Sequence, residues 1–285
     1  MFPGRGVGVF GKGCPSRDIQ AQLALGWWLD FGTFFGEPLR QTSRERKYSL
    51  MDTKDNGNGN AGGSGGTSAP RDVSMRCRIV FCMPPLPDAA SLLDDALGGG
   101  DVASVMLLRG ELDDVAYQDH CARLVPIAQG HDVAALVCDD TRALGRVNAD
   151  GIFLSSGGND PVELIARFST QKIVGCGGIK DRHRALEIGD ANPHFVFFGK
   201  PDGDIRPQAH PKNLALAEWW SQMIEIPCVV MGGSSLETLV ECAASGAEFV
   251  GLGLAVFSHT DGPGAAIREA NRLLYEHAPI FADAE

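Results

Sequence analysis

The chain has 285 residues, 44% of them apolar, and a formal charge of −11, which suits one large folded domain or two small ones. Residues 77–285 carry fifteen Lys/Arg against twenty-nine Asp/Glu, a net of −14, and this excludes a nucleic-acid surface. No apolar run approaches the roughly 18 residues of a membrane span, and the N-terminus lacks a secretion signal's continuous apolar core, so a cytoplasmic protein with no membrane partner is expected.

Residues 1–75 read as a separate extension, disordered or of low complexity. Its start is glycine-rich and mildly basic, Trp27 to Phe35 forms an aromatic patch, and Asp55 to Ser68 is a Gly/Asn/Ser linker. The patch is either a docking segment or non-native sequence upstream of a start at Met51 or Met75.

From Arg78 onward, short apolar runs alternate with helical stretches. The runs predict strands at 78–83, 102–108, 133–137, 151–154, 172–174, 195–198, 228–231 and 249–252. They are apolar without alternation, as in strands covered on both faces of a parallel sheet. Helices are predicted at 88–97, 114–129, 141–147, 161–168, 181–188, 213–223, 236–245 and 262–275, with Pro161 and Pro211 as starts and Gly130, Gly189 and Gly246 as ends. Eight such pairs within residues 76–280 predict an α/β fold of the (β/α)8 TIM-barrel type, whose site forms at the C-terminal strand ends. A doubly wound open sheet is the rival, but Met83-Pro84-Pro85-Leu86 lacks the glycine fingerprint expected after its first strand.

The eight cysteines include no C-x-x-C pair, and Cys82, Cys138, Cys176 and Cys228 lie in or at the end of apolar runs. Buried reduced thiols explain them better than disulfides or zinc. His183, His194 and His210 have no partner at metal-ligand spacing, and no P-loop, nucleophile elbow or H-E-x-x-H motif occurs.

The predicted strand ends choose the candidate site. Arg109 follows the second strand and either grips a phosphate or pairs with Glu111 or Asp139. Asp139, after the third, either coordinates Mg²⁺ together with Asp160 or caps the next helix, a role for which Asp140 competes. Ser155 and Ser156 follow the fourth strand and Gly177 the fifth. Lys200, after the sixth, is a phosphate or leaving-group contact or a solvated loop residue. Gly232, Gly233 and Gly253, after the last two strands, either cradle a phosphate on backbone amides or simply make tight turns.

These residues resemble thiamine phosphate synthase and its TenI-type relatives over about Arg78 to Pro279. Asp139, followed by Asn148 to Leu154 (NADGIFL), is similar to the family's N-D-R run with G-A-D-G-V-H-L at the same distance. Met231-Gly232-Gly233, Gly246-Ala247-Glu248 and Ala255-Val256-Phe257 are similar to its G-G-I, G-A-D and S-A-I/L-F ending. The resemblance implies a small (β/α)8 barrel joining hydroxymethylpyrimidine diphosphate and thiazole phosphate with release of diphosphate. It also implies Mg²⁺ at Asp139 and Asp160, diphosphate contacts from Arg109 and Lys200, and substrate contacts at Gly177, Gly232, Gly233 and Gly253. Barrels of this size commonly form homo-oligomers, so self-association is a further expectation.

The pattern also departs from the family. Its Q-L-R-E/Q-K becomes Leu107-Leu108-Arg109-Gly110-Glu111, its N-D becomes Cys138-Asp139, and its G-Q after strand four becomes Ser155-Ser156. The G-x-S serine becomes Gly177, the serine before the last motif becomes Leu254, and the T-x-T-K loop has no clear counterpart. Two alternatives therefore stand beside the synthase: a non-catalytic binder that kept the phosphate cradle, and a TenI-type thiazole tautomerase.

Overall fold

The computed structural model describes residues 76–155 and 160–281. The expected extension over residues 1–75, and Ser156, lie outside the described residues. Eight strands, β1 (Arg78–Met83), β2 (Ser104–Leu107), β3 (Ala134–Cys138), β4 (Gly151–Leu154), β5 (Ile173–Cys176), β6 (Phe195–Phe198), β7 (Cys228–Met231) and β8 (Phe249–Leu252), pair in parallel in sequence order. The barrel closes where Arg78 to Phe81 of β1 register with Phe249 to Leu252 of β8. The helices are α1 (Ala89–Leu97), α2 (Asp114–Gly130), α3 (Thr141–Arg146), α4 (Pro161–Phe168), α5 (Arg182–Asp190), α6 (Pro211–Met223), α7 (Thr238–Ala244), a short α8 (Leu254–Phe257) and α9 (Pro263–His277).

The strands are almost wholly buried because each serves two cores. Val80, Cys82, Met106, Leu136, Cys138, Phe153, Phe195, Phe197, Val229, Met231 and Phe249 form one cluster without any helix residue, which is the barrel interior. The alternate strand residues join apolar helix faces in the larger outer cluster. Tyr117, Cys121, Leu124 and Ala128 of α2 supply one such face at helical spacing.

Local chemistry sets the element ends. Pro161 and Pro211 begin α4 and α6 as expected. Gly130 is the last residue of α2 and Gly189 the last but one of α5, so both mark helix ends, but the left-handed residues are Asp132 (φ 58°) and Asn192 (φ 58°). Short polar side chains tolerate that region, so the left-handed residue comes two positions after Gly130 and three after Gly189. Gly246 (φ 79°) follows α7 as expected. The four residues of α8 are too few to give a periodic signal in the sequence.

The interior accepts three of its four phenylalanine rings because neighbouring strands offer glycines. A Cβ on Gly175 would lie inside the Phe195 ring, one on Gly251 would lie 3.0 Å from Phe197, and one on Gly177 would lie 2.5 Å from Phe153. Phe153 and Phe195 stack with centroids 6.4 Å apart, and Phe197 meets Phe153 edge-on at 5.5 Å.

Gly175→Ala should therefore destabilise by about 1–3 kcal/mol through overpacking. In chemical denaturation, Gly175→Ala combined with Phe195→Leu should lose less than the two single variants together, because the smaller side chain makes room; strict additivity would refute the pairing.

Candidate active site

The C-terminal strand ends form a mouth whose polar groups are held by the barrel itself. At the end of β2, Arg109 bonds Asp114 Oδ1 through Nη1 and Asp140 Oδ2 through Nη2, both at 2.7 Å. Its guanidinium lies 4.6 Å from the centroid of the Tyr117 ring. These partners replace the expected Glu111 or Asp139. Asp140 also caps α3, accepting from Arg142 N and Ala143 N. Beneath them, the buried Tyr117 hydroxyl donates to Leu107 O at 2.7 Å and accepts from Cys138 N at 2.6 Å. One phenol thus fixes the ends of β2 and β3 under the arginine.

Because Asp140 takes the cap, Asp139 faces outward. Its backbone is left-handed (φ 55°), a conformation of order 1 kcal/mol or more above the usual regions for a residue with a Cβ. Bonds to the neighbouring strand hold it: Asp139 N donates to Phe153 O, and its carboxylate accepts from Ser155 N at 2.7 Å and Ser155 Oγ at 2.6 Å. Asp160 caps α4, accepting from Val162 N at 2.9 Å. Among the described residues no three His, Cys, Asp or Glu side chains form a ready metal cage. Mg²⁺ bound with substrate phosphates needs only one or two carboxylates, and Asp139 and Asp160 are exposed residues with the oxygen ligands it takes.

Lys200 stands exposed after β6. Gly177 N donates to Leu154 O, and the Phe153 ring occupies the space a side chain there would need. The glycine loops are more committed than their sequence implies. Gly232 N extends the β7–β8 ladder to Gly251 O, and Gly233 N donates to Thr238 Oγ1 at 3.2 Å. Gly253 N donates to Asp204 Oδ2 at 3.1 Å, and Leu254 N donates to the same oxygen.

Asp204 is the site residue that sequence reasoning missed. It lies in the loop after β6, is only 3% exposed, and resembles Asp202 two positions earlier in every local respect. Only its contacts with loops fifty residues away distinguish it. Burial pushes its carboxyl up to about 6, against the bonds from the Leu254, Gly253 and Ala255 amides. After burial, the Asp204 and Asp202 charges also push up the buried Cys82 thiol.

A family model described as thiamine monophosphate synthase matches residues 80–256. The thiamine-phosphate synthase of Rhodospirillum centenum is 32% identical over 205 residues, covering 70% of this chain and 98% of that protein. That of Hyphomonas neptunium is also 32% identical, over 73% of this chain and 96% of its own. Among solved structures, thiamine phosphate pyrophosphorylase from Pyrococcus furiosus superposes with a TM-score of 0.60 at 17% identity, over 70% of this chain and 97% of that one. A 3-hexulose-6-phosphate synthase gives 0.54 at 20% identity, over 68% and 99%. At those identities the two structures show a common fold.

A carboxyl held at about 6 in the folded chain, against an ordinary 3.8, binds its proton more tightly folded than unfolded. Its contribution to stability therefore declines as pH climbs from about 4 to 6 and stays low above. Asp204→Asn should match the parent chain near pH 4 and be the more stable protein at pH 7.5, by up to roughly 3 kcal/mol. Denaturant titrations at the two pH values measure this; equal offsets at both would contradict it.

Proposed function

The chain belongs to the thiamine monophosphate synthase family, and on that premise we propose how its mouth carries out the family's transferase reaction, the joining of hydroxymethylpyrimidine diphosphate to thiazole phosphate with release of diphosphate. The match to full-length synthases, 98% of one relative at 32% identity, is the observation that supports this reading most directly. The closed barrel with its polar mouth suits it. In the reaction the bond from the pyrimidine CH₂ to diphosphate oxygen breaks, and the thiazole nitrogen's lone pair forms the new C–N bond. The task for the protein is to hold two anions in register and to stabilise charge on the departing group.

Arg109 is the proposed diphosphate contact. Its bond to Asp140 joins partners that are largely shielded, whereas Asp114 is 75% exposed. A solvent-exposed ion pair contributes little, so a diphosphate oxygen replaces Asp114 while Asp140 keeps the guanidinium in place. Lys200 meets the same group from the loop after β6. Asp139 and Asp160 would hold Mg²⁺, which when bound supplies charge neutralisation to the diphosphate. Asp139 is suited to this by its strained backbone and by Ser155, which together fix the direction of its carboxylate.

The thiazole phosphate is assigned to the turns at Gly232, Gly233 and Gly253, where the amides of Ser234, Ser235, Gly253 and Leu254 are the donors. Gly177, after β5, is assigned to the substrate face of the mouth, where its backbone lies over the buried Phe153 ring. A thiazole tautomerase would need an acid or base at the mouth. His183 instead pairs with Glu187 on α5, His194 bonds Val174 at the start of β5 and β6, and His210 caps α6, so the transferase is preferred. The seven buried unpaired cysteines of the described residues suit a reducing compartment, and the cytoplasm is the proposed location.

With pure substrates and Mg²⁺, the protein should form thiamine phosphate, and Asp139→Ala should lower kcat by about 10²–10³. No turnover by the parent chain would overturn the reading.

A further inference from the structure

The loop between β6 and α6 lies across the phosphate turns as a strap. Only two of the residues from 201 to 209 are buried, Asp204 and Ala209. Ala209 N is anchored to α7 by Thr238 Oγ1 at 3.1 Å and Glu241 Oε1 at 3.0 Å. Between these anchors the strap gives its carbonyls to the turn after β7: Ser234 N donates to Arg206 O at 2.7 Å and Ser235 N to Pro207 O at 3.3 Å. The fit is close enough that a Cβ on Gly233 would collide with the Pro207 carbonyl. On the other side, Asp204 takes the amides of Gly253 and Leu254.

All four amides assigned above to the thiazole phosphate therefore already donate to the strap, two of them to a negatively charged group. A phosphate offers the same amides the same chemistry, an anionic oxygen accepting from backbone N–H. It cannot do so while the carboxylate is there, since the two anions would repel and the donors are used. The strap is also weakly held by apolar contacts. Ile205, its largest apolar side chain, is 65% exposed, so polar bonds and not apolar packing keep it down, the signature of a segment that opens locally.

We propose that Asp204 is an internal stand-in for the phosphate, and that the strap it anchors is an autoinhibitory contact which must lift before the thiazole phosphate binds. The inference rests on the synthase reading for the identity of that ligand. It makes the open state a minor population in the free protein, so the apparent affinity is weaker than the intrinsic one by the open fraction.

The test is calorimetric titration of the full chain with thiazole phosphate at pH 7.5, alongside Asp204→Ala and Asp204→Ser, with turnover measured on the same three proteins. Both variants should bind at least about tenfold more tightly than the parent chain. On the unaltered protein, hydrogen exchange of backbone amides in residues 201–209 should rise when thiazole phosphate is added, a readout that does not depend on the variants folding. Equal affinities, or exchange that falls or stays level on binding, would overturn the strap and leave the synthase reading intact if turnover is seen. Tighter binding in the variants with no turnover in any protein would support the strap and overturn the synthase. Absence of binding by all three would overturn the strap.

Discussion

The space inside a closed barrel of eight short strands is the constraint from which the rest of this structure follows. Side chains from all strands share a fixed volume, so three of the four inward phenylalanines fit only because nearby positions give up their side chains. Gly175, Gly177 and Gly251 do so against Phe195, Phe153 and Phe197. This joins two departures from the family pattern into one packing event. The histidine of its G-A-D-G-V-H-L run is Phe153 here, and the serine of its G-x-S is Gly177. The ring of the first occupies the room of the second, so the two changes belong together and neither by itself measures lost chemistry.

The rigid barrel then positions the polar mouth through a few indirect contacts. Tyr117 ties the ends of β2 and β3 from below, and Arg109 lies on its ring. Asp140 caps α3 while steadying the same arginine, which releases its neighbour Asp139 to face outward. The strain at Asp139 is offset by three bonds to Phe153 and Ser155. In each case the group available to a ligand is aimed by a residue that is not.

The fold was legible because strands buried on both faces read as unbroken apolar runs. Six of the eight predicted strands agree with the structure to within a residue at each end, and Lys172 to Val174 was too short only because Gly175 and Cys176 looked like a loop. The positions of Arg109, Asp139, Asp160 and the glycine turns followed from the strand ends alone. Their partners did not. Nothing local distinguishes Asp140 from Asp139, or Asp204 from Asp202, and the bonds that do so join segments brought together by barrel closure. Gly130 and Gly189 mark the helix ends, but the left-handed turn falls to Asp132 and Asn192, two and three residues on.

Asp204 reaches over β7 to the turn after β8, so its surroundings exist only when the last strand has docked against both β7 and β1. A chain growing from its N-terminus, halted before Phe249, would leave that carboxyl in water with the acidity of any aspartate. The proton it holds up to about pH 6 is thus a completion mark, carried by molecules whose ring of strands has closed and missing from those in which it has not. A single titrating group, followed during refolding, would time the final step of assembly without an added label.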